Sequence, residues 1–80
     1  MKFVFTKHAT FDKFAILKKH KFKTPVTKRL IKEIILNPEH ADEESDKPNI
    51  IASKSIDVNH ILRVVYRKEF DIIRVITFYP

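Results

Sequence analysis

Eighty residues read as one domain, 1–80, and a chain this short buries only about 60% of the surface its unfolded form exposes. The absence of Cys and Gly excludes disulfides, thiolate chemistry and the Gly-rich phosphate loops that need φ > 0. Sixteen basic against ten acidic residues give +6, and five of the acids (Glu39, Asp42, Glu43, Glu44, Asp46) fall within eight residues, leaving +11 over the other 72.

Lys2 to Thr6 alternates weakly around Phe3, Val4 and Phe5 and reads as a short strand. From His8 to Lys21, Phe11, Phe14, Ala15 and Leu17 fall at helical spacing, with Thr6 or Thr10 as the cap. Phe22 to Pro25 breaks this helix, because the residue before Pro is pushed out of the helical region. A second helix follows, with Leu30, Ile31, Ile34 and Ile35 as its apolar stripe and Lys28, Arg29, Lys32 and Glu33 opposite. Thr27 is a natural N-cap, with Val26 and Ile31 placed as a hydrophobic staple; Thr24-Pro25 is the competing start. Asn37-Pro38 ends the helix, and the acidic, Pro-bounded stretch 39–49 reads as a loop.

Three strands complete the chain: Ile50 to Ile56, Ile61 to Arg67 and Ile72 to Tyr79, with turns at 57–60 and near Glu69-Phe70. Short connections imply antiparallel hairpins. The expected fold is therefore α+β, β-α-α-β-β-β, an antiparallel sheet with two helices packed on one face. Phe14, Leu30, Ile34, Leu62, Val64 and Val75 are the expected core.

A last hairpin turning on Glu69 and Phe70 would put Leu62, Val64, Tyr66, Ile73, Val75, Thr77 and Tyr79 under the helices. The opposite face would carry Arg63, Val65, Arg67, Ile72, Arg74, Ile76 and Phe78. Pairing of Ile56 with Ile61 would add Lys54 to it, directly opposite Arg63, where like charges repel. Arg and Lys interleaved with apolar and aromatic residues suit phosphate contact and base stacking. The same pattern also arises when Arg stems simply lie over apolar neighbours. A one-residue change in a turn would split the Arg residues between faces.

No apolar run approaches the ~20 residues that span a bilayer. The start, MKFVFTKHA, lacks the h-region of a signal peptide, so a cytoplasmic location away from membranes is expected. His8, His20, His40 and His60 have no ligand spacing, and the 39–46 stretch lacks the Gly and terminal Glu of an EF-hand loop. No metal and no cofactor are expected. One reaction needs only such residues, the cleavage of RNA by attack of a 2′-hydroxyl on its own phosphate. Arg63, Arg67, Arg74 and Lys54 would offset the developing charge, and His8, His60 or Tyr79 would move the proton.

Phe5-Thr6-Lys7-His8-Ala9, the helix end Ile35-Leu36-Asn37-Pro38, and Leu62-Arg63-Val64-Val65-Tyr66 with the ending Ile73-Arg74-Val75-Ile76-Thr77-Phe78-Tyr79-Pro80 span nearly the whole chain. In order and spacing they resemble the small uncharacterised domains placed with the RelE/ParE toxin superfamily, near BrnT. The resemblance implies the toxin of a toxin–antitoxin system, in many members a metal-independent endoribonuclease acting on mRNA, free or on the ribosome. It also implies a cognate antitoxin covering the basic surface. His8 and Arg74 match its motif positions. With Arg63 and Lys54 they are the catalytic candidates, and Arg67, Lys7, Phe78, Tyr79 and His60 are the candidates for contacting the nucleic acid. Thr24-Pro25 stands where the group commonly carries an Arg-Gly pair. The alternative to a toxin is a non-catalytic basic module that binds nucleic acid or an acidic partner peptide.

Overall fold

The computed structural model describes residues 2–7, 9 and 26–80. Apart from Ala9, the expected helix over 8–21, His8 and Phe14 included, lies outside the described residues. The order of elements is β1 (Lys2–Phe5), α1 (Lys28–Leu36), β2 (His40–Asp42), β3 (Ile50–Asp57), β4 (His60–Glu69) and β5 (Ile72–Tyr79).

α1 starts and stops where local chemistry dictates. Thr27 is extended at φ −124°, ψ 166°, and its hydroxyl oxygen accepts from Leu30 N at 3.2 Å. That satisfies one of the amide donors a helix start leaves orphaned. At the other end Asn37 N donates to Glu33 O at 2.8 Å, and Pro38 cannot continue the ladder. Ile31, Ile34 and Ile35 are buried, Leu30 is only partly so, and Val26 packs against the same cluster. Thr27→Ala should lower stability by about 1 kcal/mol, read from chemical denaturation with an unchanged m-value.

The sheet corrects the expected architecture. It has five strands in the order β1-β5-β4-β3-β2, and it is mixed. β1 runs parallel to β5, with Phe3 beside Ile73 and Phe5 beside Val75; the other pairs are antiparallel. Among the described residues one helix lies on the sheet. The α+β reading of an antiparallel sheet under two helices therefore does not describe this chain. The fifth strand comes from the segment read as a loop: His40, Ala41 and Asp42 pair with Ser53, Ala52 and Ile51. Polarity suggested a loop, but an edge strand tolerates charge, which also discourages edge-to-edge association.

Two extra residues rotate the faces away from their expected places. In β5, Tyr66 pairs with Val75 but Val65 pairs with Thr77, so Ile76 is the surplus residue of a bulge. Thr6 secures this point: its N donates to Val75 O at 3.1 Å and its hydroxyl to Ile76 O at 2.8 Å. In β3, Ser55 pairs with Ile61 and Asp57 with His60, so Ile56 is surplus there. The last hairpin also turns on Phe70-Asp71 rather than Glu69-Phe70, since Glu69 pairs with Ile72.

The consequence is a core on the α1 side built from Ile31, Ile34, Ile35, Ala52, Leu62, Val64, Tyr66, Ile73, Val75 and Phe78, with Ala9 also buried among them. Phe78, expected on the opposite face, has no exposed surface, and it pairs with Val64. Thr77 and Tyr79, expected under the helices, pair with Val65 and Arg63 on the other side. Phe3 and Phe5 close the core at the β1 edge, where Lys32 Nζ lies 5.5 Å from the Phe3 ring centroid and Lys28 Nζ 5.2 Å from that of Phe5.

A candidate nucleic-acid interface on the open sheet face

The face away from α1 carries three of the four Arg residues. Alternation along β4 sends Arg63, Val65, Arg67 and Glu69 to this side, and pairing brings Tyr79, Thr77, Arg74 and Ile72 beside them. β1 adds Lys2 next to Ile72, and β3 adds Ile51 and Ser53. Val65, central on this face between the two β4 Arg residues, is 7% exposed, as expected where Arg stems lie along apolar neighbours.

Arg67 and Arg74 are directly opposite each other. Two guanidinium groups so placed repel, and each has an internal acceptor. Arg74 Nε donates to Glu69 Oε1 at 2.6 Å and its Nη2 to Glu69 Oε2 at 3.2 Å, a forked pair. The hydrogen bond from Arg74 holds the Glu69 carboxyl below its ordinary value, and the same contact raises the Arg74 guanidinium. Arg67 Nε donates to Asn49 Oδ1 at 3.1 Å. Arg63 is placed differently, with its guanidinium carbon 5.8 Å from the Tyr79 ring centroid.

One row crosses four of the five strands: His40 of β2, Ser53 of β3, Arg63 of β4 and Tyr79 of β5. His40 was missed from sequence because its segment carried no strand signal. Next to it, Glu39, His40, Ser53, Lys54, Ser55 and Ile61 line a shallow cavity of about 140 Å³. The Glu39 carboxylate accepts from Ser55 N and so caps the uncovered part of the β3 edge.

The remaining candidates are not brought together with the Arg residues. Lys54 pairs with Leu62, not Arg63, because of the surplus Ile56; it lies on the helix side with Nζ 3.6 Å from Glu33 Oε1. Phe78 is core and offers no ring to a base. His60 closes the β3–β4 turn, its Nδ1 2.7 and 2.9 Å from the two Asp57 carboxylate oxygens. Lys7 is exposed just past the end of β1. His8 lies outside the described residues. Among the described residues no group of three His, Asp, Glu or Cys side chains could hold a metal ion, and no helix is long and apolar enough to cross a membrane.

The acidic segment is ordered by its own hydrogen bonds. Asp42 accepts from Glu44 N at 3.0 Å, from Ser45 N at 3.1 Å and from the Ser45 hydroxyl. These bonds, the Ser45 hydroxyl foremost, hold the Asp42 carboxyl at about 2 against an ordinary 3.8. A carboxyl depressed by folding adds stability above its unfolded value and loses it as pH falls through its folded one. Acid unfolding should therefore steepen between about pH 4 and 2, with Glu69 contributing in the same direction. Asp42→Asn should flatten that part of the pH–stability curve, followed by circular dichroism.

Comparison with family models, curated proteins and solved structures yields no match for this chain.

Proposed function

We propose that this chain is a basic RNA-binding domain of the cytoplasm that receives the phosphate backbone on its open sheet face. The observation that carries this reading is the set of cations on one side of the sheet, Arg63, Arg67, Arg74 and Lys2, with Arg63 beside the Tyr79 ring. Guanidinium groups present a planar fork that matches phosphate oxygens, and an aromatic ring next to such a groove accepts a base of any sequence. Arg63 and Arg67 are four residues apart on one strand, roughly 13 Å, so one extended strand of RNA can reach both. The physiological setting we assign is the toxin half of a toxin–antitoxin pair, with the antitoxin competing for the same surface.

Fluorescence anisotropy with labelled oligouridylate tests the reading. Arg63→Gln and Arg67→Gln should each weaken binding roughly fivefold, the upper range for an exposed charge contact. Wild-type affinity in both folded variants would remove this face from the function.

The row from His40 to Tyr79 favours a second reading, cleavage at the same face. The 2′-oxygen would form a bond to phosphorus while the bond to the 5′-oxygen breaks, giving a 2′,3′-cyclic phosphate and a 5′-hydroxyl that takes its proton from water. Arg63 would offset the phosphorane charge and His40, about two strand spacings or 9–10 Å away across small Ser53, would take the 2′ proton. Induced expression with growth and RNA integrity followed together tests it. Intact RNA alongside retained binding would leave the domain a non-catalytic binder.

A further inference from the structure

We propose that Glu69 and the Asp46–Asn49 pair are specificity-determining acceptors, which a phosphodiester strand must displace from Arg74 and Arg67; this rests on the RNA-binding reading above. The two Arg residues at the centre of the face are not idle. Arg74 is forked onto Glu69 at 2.6 and 3.2 Å. Arg67 is bonded to Asn49 Oδ1, and Asn49 is held from behind: its N donates to Asp46 O at 2.8 Å and its Nδ2 to Asp46 Oδ2 at 3.3 Å. Asp46 belongs to the acidic segment that Asp42 orders by accepting from Glu44 N, Ser45 N and the Ser45 hydroxyl, and within which Glu44 pairs with Lys47 Nζ at 3.0 Å.

The acceptors suit such a role chemically. A carboxylate on a guanidinium mimics one phosphate with the same forked geometry. Neutral or singly charged ligands gain too little to displace it. A polyanion engaging Arg63, Arg67 and Arg74 together gains counterion release at each contact and displaces both acceptors. The arrangement also quiets the repulsion between the facing Arg67 and Arg74 in the empty protein. One consequence separates this role from a merely structural one: removing the acceptor should loosen the fold yet tighten the ligand.

The experiment titrates full-length protein with a labelled ten-residue oligouridylate and, in parallel, with the dinucleotide UpU, whose single phosphodiester carries one charge. Glu69→Gln should bind the oligomer about two- to fivefold more tightly, the size of an exposed ion pair, while its thermal midpoint falls. A combined Glu43→Gln, Glu44→Gln, Asp46→Asn variant should also bind more tightly at low salt and converge on wild type as salt shortens the reach of its charges. UpU should gain proportionally more than the oligomer in Glu69→Gln, and a gain confined to the oligomer overturns the specificity role. Unchanged or weaker oligomer binding in both variants overturns the proposal. If Arg63→Gln and Arg67→Gln still weaken binding, the binding face stands and only the acceptor role falls. If those two have no effect either, the RNA-binding reading fails with it.

Discussion

Phe78→Ala should be the most damaging single substitution in the sheet, lowering stability by about 3–5 kcal/mol. The ring is fully buried opposite Val64, and Leu62, Val64, Val75, Ile31 and Ile34 of the same core cluster are also without exposed surface. Removing it leaves a cavity that a core of this size cannot close by relaxation. Val64→Ala should cost about 1–3 kcal/mol, since it deletes fewer atoms from the same layer. Urea denaturation reads both. A Phe78→Ala midpoint close to wild type would mean that the ring is not core and that the Ile76 bulge is misplaced. Tyr79→Ala is the contrasting control: it sits one residue on, about a third exposed, and should leave the midpoint nearly unmoved while weakening the proposed RNA binding.

The second large effect is expected in the salt dependence of the proposed RNA binding. Three or four phosphate contacts to single-stranded RNA predict a slope of log affinity against log salt of about −2 to −3, or roughly 20- to 50-fold between 50 and 200 mM. Arg67→Gln should reduce the slope by about 0.7, the value of one single-strand contact, whatever the RNA sequence. The four cations that the described residues place on this face supply that number of contacts, and the acidic segment around Asp42 opposes them at long range. An affinity insensitive to salt would defeat the electrostatic account, and a slope unchanged in Arg67→Gln would place the contacts elsewhere.

Part of this protein is legible in the sequence because it is local. The Thr27 cap, the stop at Asn37-Pro38 and the stripe of Ile31, Ile34 and Ile35 are decided within one helix, where capping and 3.6-residue spacing act between near neighbours. The β-branched runs from Ile50, Ile61 and Ile72 likewise mark their own strands, and the alternation within the middle one places Leu62 and Val64 inward and Arg63 and Arg67 outward. The charge imbalance, and the place of the acids that interrupt it, are also properties of the chain alone.

What only the tertiary structure decided is register. Side chains in a strand alternate with period two, so a single surplus residue reverses everything beyond it. Ile76 does this in β5, sending Phe78 into the core and Tyr79 out to Arg63, and Ile56 does it in β3, sending Lys54 to Glu33 on the helix side. The pairing of β1 with β5 joins residues about seventy apart, and its parallel direction leaves no local mark on either segment. His40 to Asp42 becomes a strand only because the edge of β3 lies beside it, an energy that no property of those three residues contains. The cations of the open face are thus written in the sequence, but which of them stand together, and which acceptors hold them, is set by contacts across the sheet.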